Sequence, residues 1–135
     1  MRVETYKLAV GGHDHKDIQG VASAKLSTPF SVALALVKDQ AGIDDFNLAN
    51  IHDNVILDLC NRVEVVVNDE LTSWSPQKRA AIVSITTTGG NRYSWEVDYP
   101  KGEPENPMTR SEMEEKYRML TEDSNKNNFY QQYGL

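Results

Sequence analysis

A chain of 135 residues is the size of one typical domain, long enough to bury a core and too short for two. Its net charge of −6, with no basic cluster longer than Lys78-Arg79, opposes the phosphate neutralisation behind non-specific nucleic-acid binding and gives an anionic membrane surface little to attract. The single cysteine, Cys60, excludes an intrachain disulfide.

The first residues, Met1-Arg2-Val3-Glu4, lack the layout of a signal peptide, and no apolar run is long enough to span a bilayer. A cytoplasmic location with no membrane or nucleic-acid partner is expected. Val3, Tyr6, Leu8 and Val10 then alternate with polar residues up to Gly11-Gly12, which predicts a first strand over 3–10. From His13 to Thr28 the sequence is polar, glycine-punctuated and without period, the mark of a long loop, and such loops often carry function.

Pro29 opens a run, Phe30 to Val37, that is apolar on nearly every side and predicts a buried helix. A second helix is expected from Asn50. Ile51, Val55, Leu59 and Val63 recur at steps of four, Ile56 and Cys60 widen the stripe, and Asp53 stands where a cap belongs. Cys60 is read here as a packed core thiol. Val63, Val65 and Val67 then switch to a period of two, predicting a strand.

Two alternating runs, 81–87 and 92–99, flank Thr88-Gly89-Gly90-Asn91 and predict a β-hairpin. On its second arm Tyr93, Trp95, Val97 and Tyr99 share one face, expected to be buried, as core rather than ligand platform. Pro100 to Pro107 can continue neither helix nor central strand. Thr109 and Glu112 form a capping box with Met108 and Met113 as its hydrophobic staple, so a last helix starts here. Glu112 with Lys116 and Glu114 with Arg118 should pair along it, opposite an apolar edge of Met113, Tyr117 and Leu120. Beyond Asp123 the period is lost. The expected organisation is one domain over 1–123 and a flexible tail over 124–135. The order β-α-α-β-β-β-α predicts an α+β two-layer sandwich, a mainly antiparallel sheet of about four strands with helices on one face.

No nucleophile elbow, phosphate loop or C-x-x-C occurs, so no catalytic residue can be named from a motif. His13-Asp14-His15 could touch substrate, move protons or simply be solvated. Metal binding is not expected, because a closed site needs about four ligands and the third histidine, His52, lies beyond the buried helix. Lys25 and Ser27, just ahead of that helix, could offer an ammonium and a hydroxyl to an anion, or be ordinary exposed loop residues.

The segments Ser23 to Leu36, with Lys25-Leu26-Ser27-Thr28-Pro29-Phe30 at their centre, and Tyr99-Pro100-Lys101-Gly102-Glu103-Pro104-Glu105-Asn106-Pro107 resemble the MmgE/PrpD family. Asp53 to Leu59, the valine-rich strand after it and Met113-Glu114-Glu115-Lys116-Tyr117 extend the resemblance over about residues 3–121. It implies the small α+β lid of a two-domain enzyme whose larger part is helical, with substrate in the cleft between them. Relatives include the 2-methylcitrate dehydratases of propionate metabolism, cis-aconitate decarboxylases and an iminodisuccinate epimerase. These lyases and isomerases act on small di- or tricarboxylates by proton transfer beside a carboxylate, and no cofactor is implied. Carried over, the resemblance makes Lys25 and Ser27, with His13 and His15 behind them, the expected carboxylate-binding residues. Phe30 stands where many relatives place an active-site tyrosine.

Most of the family's acid–base residues belong to the helical part, so a separately encoded helical partner is expected, the chain being inactive without it. A homo-oligomer through exposed apolar surface is a further expectation. Two other readings stay open: a free-standing binding or interaction module that kept the fold and lost the chemistry, and a small self-sufficient enzyme built on the His13–His15 loop.

Overall fold

The computed structural model describes residues 1–122, which form two compact units, Met1–Asp98 and the segment from Tyr99 onward. The first unit holds a four-stranded sheet in the order β2-β1-β3-β4, from β1 (Arg2–Thr5), β2 (Glu64–Val67), β3 (Ala81–Thr86) and β4 (Arg92–Val97). β1 runs parallel to β2 and antiparallel to β3, and β3 is antiparallel to β4. The parallel pair needs a long crossover. Five α-helices, with a 3-10 turn at Ile43–Asp45, supply it: α1 (Lys7–Val10), α2 (Val21–Lys25), α3 (Thr28–Lys38), α4 (Leu48–Ile51) and α5 (Asn54–Asn61). The α+β class and the placing of helices on one side of the sheet agree with the sequence reading.

Several element bounds differ from it for identifiable reasons. β1 stops at Thr5, not Val10, because its neighbours stop there: Thr5 faces Val67, the end of β2, and Ala81, the start of β3. With no ladder left to join, the chain turns into α1, and the Lys7 amide donates to Thr72 Oγ1 at 3.1 Å. Thr72 belongs to α6 (Asp69–Trp74), a helix whose N-terminus Asn68 caps by accepting from the Leu71 amide. The stretch expected to be a loop throughout, 13–28, contains α2, because Ala24 with Val21 reaches the core. In the second predicted helix Asp53 does cap α5, but Val55 is 60% exposed; the buried stripe is Ile56 and Cys60.

The main core lies within the helical layer. Ala24, Phe30, Ala33, Leu34, Ile51, Ile56 and Cys60 pack together, with Phe46 against Phe30 at a ring separation of 6.1 Å. Burial pushes the Cys60 thiol up, against a smaller lowering by Lys16, so it sits as an inert packed group. The helix from Phe30 to Val37 buries one side only; Leu36 is exposed.

Across the sheet, residues directly opposite share a face, so Val3, Val65, Val83 and Trp95 form one row. Burial along it falls from Val3, 4% exposed, to Trp95, 74% exposed. The aromatic face of β4, expected in the core from its alternation, is open: Tyr93 is 61% exposed and Val97 is also exposed. Alternation records that a strand can be covered on one face; it does not say that the covering is supplied.

In the second unit Asn106 donates from its side-chain amide to the Tyr99 carbonyl, and Gly102, at φ 102°, donates to the Asn106 carbonyl. These bonds hold the Pro100–Pro107 stretch as a tight turn ahead of α7 (Arg110–Glu122). The capping box forms as read: the Thr109 amide donates to Glu112 at 2.7 Å and the Glu112 amide to Thr109 Oγ1 at 3.2 Å. The ion pairs differ, with Glu112 meeting Lys101 and Glu114 meeting Arg110 instead of Lys116 and Arg118. Met113, Tyr117 and Leu120 are exposed. The expected tail, 124–135, lies outside the described residues.

The amide of Thr109, then Lys101 and the Thr109 hydroxyl, lower the Glu112 carboxyl from about 4.5 to about 2. A carboxyl depressed in the folded state stabilises it above its unfolded value and loses that contribution as pH falls through the folded value. Amide protection at the start of α7, relative to the intrinsic exchange rate, should therefore fall as pH drops between about 4.5 and 2, and Glu112→Gln should flatten the dependence. A Glu112 carboxyl carbon that titrated near its ordinary value by NMR would contradict this account.

Candidate functional site

Three of the four residues singled out from the sequence meet at the entry to α3. The Ser27 hydroxyl donates to the His15 carbonyl at 2.6 Å and accepts from the Phe30 amide at 3.2 Å, so it both caps the helix and anchors the preceding loop. The Thr28 amide donates to the His13 carbonyl at 2.8 Å, joining the same two strands of chain. The His13 ring donates from Nδ1 to the Leu26 carbonyl at 2.9 Å.

His15 is held from both sides. Its Nδ1 lies 3.1 Å from the Gly12 carbonyl, and its Nε2 lies 3.1 Å from the Ser23 carbonyl and 3.2 Å from Ser23 Oγ. Lys16, next along, donates to the Asn61 carbonyl at the end of α5. The loop is thus stitched to α2, α3 and α5 by backbone carbonyls, partners that no sequence motif encodes.

These bonds decide what the entry to α3 can do. Helix N-termini bind anions through unsatisfied amides, but here Thr28, Phe30 and Ser31 donate to His13, Ser27 Oγ and Ser27, and Pro29 has no amide proton. The helix end is already closed. Ser27 is buried and both roles of its hydroxyl are taken within the chain. Phe30 is wholly buried in the helical core.

Lys25 is different. It is exposed at the last turn of α2, between Ser23 and Leu26, whose carbonyls the two histidines hold. Among the described residues its ammonium has no ion-pair partner. The sequence reading missed a second cation, Lys7, because residues 7–10 read as strand. Lys7 lines a cleft of about 480 Å³ with Tyr6, Leu8, Gly11, Thr72 and Ser75. That cleft borders the loop at Gly11-Gly12, and its ammonium is likewise unpaired among the described residues. His52, at the end of α4, is exposed, and no three His, Cys, Asp or Glu side chains among the described residues cluster as a metal site.

No helix of the described residues is long and apolar enough to cross a membrane. A comparison with curated proteins yields no match. Among family models, the MmgE/PrpD C-terminal domain matches residues 1–128.

Proposed function

Since the chain belongs to the MmgE/PrpD family, as a C-terminal domain, we propose that it is the lid half of a lyase or isomerase that acts on small di- or tricarboxylates. The observation that carries this reading is a free ammonium on a braced frame: Lys25 is exposed and unpaired among the described residues, while His13, His15 and Ser27 spend their hydrogen bonds on fixing the turn that bears it. A turn fixed before substrate arrives loses less freedom when the lysine it bears binds a carboxylate. Lys7, in the cleft that borders the Gly11 end of the same loop, supplies a second positive charge for a substrate with several carboxylates.

In this reading the histidines and Ser27 are positioning residues, and Lys25 is the group that touches substrate. The proton-transferring base comes from a helical partner, which also excludes water from the site. The exposed Leu8 and Leu26, on the segments that the loop ties together, give that partner apolar surface beside the cations. A second reading, an interaction module without chemistry, draws on the way Ser27, His15 and Phe30 are spent on structure.

Titration of the chain with 2-methylcitrate, cis-aconitate and related acids, following binding and turnover together, tests the proposal. Weak binding without turnover is expected, and Lys25→Ala should weaken it roughly tenfold, the scale of one charge-assisted hydrogen bond at an exposed site. Turnover by the chain alone would make it a self-sufficient enzyme. Binding unchanged by Lys25→Ala would remove the assigned contact, and no binding to any acid would favour the interaction module.

A further inference from the structure

β4 is an edge strand with all six of its residues exposed. The Thr87 amide donates to the Asn91 carbonyl at 2.9 Å, which fixes the alternation along the hairpin. Ile85 with Tyr93, Val83 with Trp95 and Ala81 with Val97 are then the hydrogen-bonded pairs, so the amides and carbonyls of Arg92, Ser94 and Glu96 point away from β3. Such a row of outward groups is a template for another strand.

The side chains on that edge are unusually specific about which strand. Arg92, Ser94 and Glu96 share one face, and Tyr93 and Trp95 share the other. Opposite β3, Arg92 faces Thr86 and Glu96 faces Ile82, so neither charge is answered there. Neither has an ion-pair partner among the described residues, and at about 13 Å along an extended strand they cannot reach each other.

We propose that β4 pairs antiparallel with β4 of a second copy of this chain, about a two-fold axis at Ser94, joining two four-stranded sheets into one of eight. In this register Arg92 of each copy lies opposite Glu96 of the other, at positions where the outward backbone groups bond. Tyr93 lies opposite Trp95 at the intervening positions, where side chains approach most closely and aromatic pairs favour the sheet. A self-pairing edge must answer each charge with its opposite under a two-fold axis, and this strand does so twice. Registers centred on Arg92 or Glu96 set like charges against each other, and the register centred on Trp95 points Arg92 at Asp98, which Lys78 already holds at 3.0 Å. Charges at an edge commonly keep other strands away; here the same two residues repel a misregistered copy and attract a registered one. The inference stands independently of the carboxylate reading.

Sedimentation of the full chain over roughly 10 µM to 1 mM, the span expected of a small interface, should show a monomer–dimer equilibrium that weakens with salt. Glu96→Arg alone and Arg92→Glu alone should each weaken association at least about tenfold by placing like charges opposite. Mixing the two variants in equal amounts should restore a dimer, because each then offers the charge the other lacks. These are exposed side chains, so far-UV circular dichroism should show both variants folded. A wild type that stays monomeric throughout, a dimer indifferent to either reversal, or failure of the mixture to associate would each overturn the proposal.

Discussion

Phe30→Ala is expected to destabilise the first unit by about 3–5 kcal/mol, the range for deleting a fully buried aromatic ring. The ring has no exposed surface and sits among Ala33, Leu34, Ile51, Ile56 and Cys60, with Phe46 tilted against it at 44°. Truncation loses the transfer free energy of the ring and leaves a cavity that four helical segments would have to collapse to fill. Since a domain of this size is stable by only about 5–15 kcal/mol, this one change should bring it near the unfolding threshold. Urea denaturation followed by tryptophan fluorescence and circular dichroism reads the effect. A loss under about 1 kcal/mol would mean that Phe30 does not anchor the helical core.

The second large effect is expected at Ser27. Ser27→Ala removes the cap of α3, worth roughly 0.5–2 kcal/mol, and also strips the His15 carbonyl of its donor in a part-buried setting. The sum should be about 2–3 kcal/mol. The change should also be local: amides of Thr28 and Phe30 should exchange faster, and the loop that carries His13 and His15 should loosen. Ser27→Thr keeps the hydroxyl and should recover part of the loss. If Ser27→Ala matched wild type in exchange at these amides, the hydroxyl would not be what joins loop to helix. Carboxylate binding measured on the same variant separates the roles. Weaker binding in proportion to the loosened loop would fit a positioning role for Ser27, with Lys25 as the contact.

The site was legible in part, and the division follows from chemistry. The stretch Lys25 to Phe30 stood out because its order, a cation, a hydroxyl and a proline opening an apolar run, is local information, and its likeness to the family lies in the same few residues. That His13, His15 and Ser27 would bind one another's backbone was not legible. Carbonyl acceptors are present at every residue, so nothing in the side chains of Gly12, Ser23 or Leu26 announces the role. Lys7 was hidden by a strand pattern that the ladder could not extend.

Taken alone, the sequence determined the α+β class, the hairpin at 81–97, the caps at Asp53 and Thr109 and the core place of Cys60, because each depends on periodicity, a turn or a bond reaching a few residues. Only the tertiary structure decided where β1 ends, that α2 interrupts the long loop, that the entry to α3 has no amide left for an anion, and that the aromatic face of β4 stays open. Each of those depends on a partner far away in sequence: a strand lasts only while its neighbour does, and an apolar face is buried only where another element arrives to cover it.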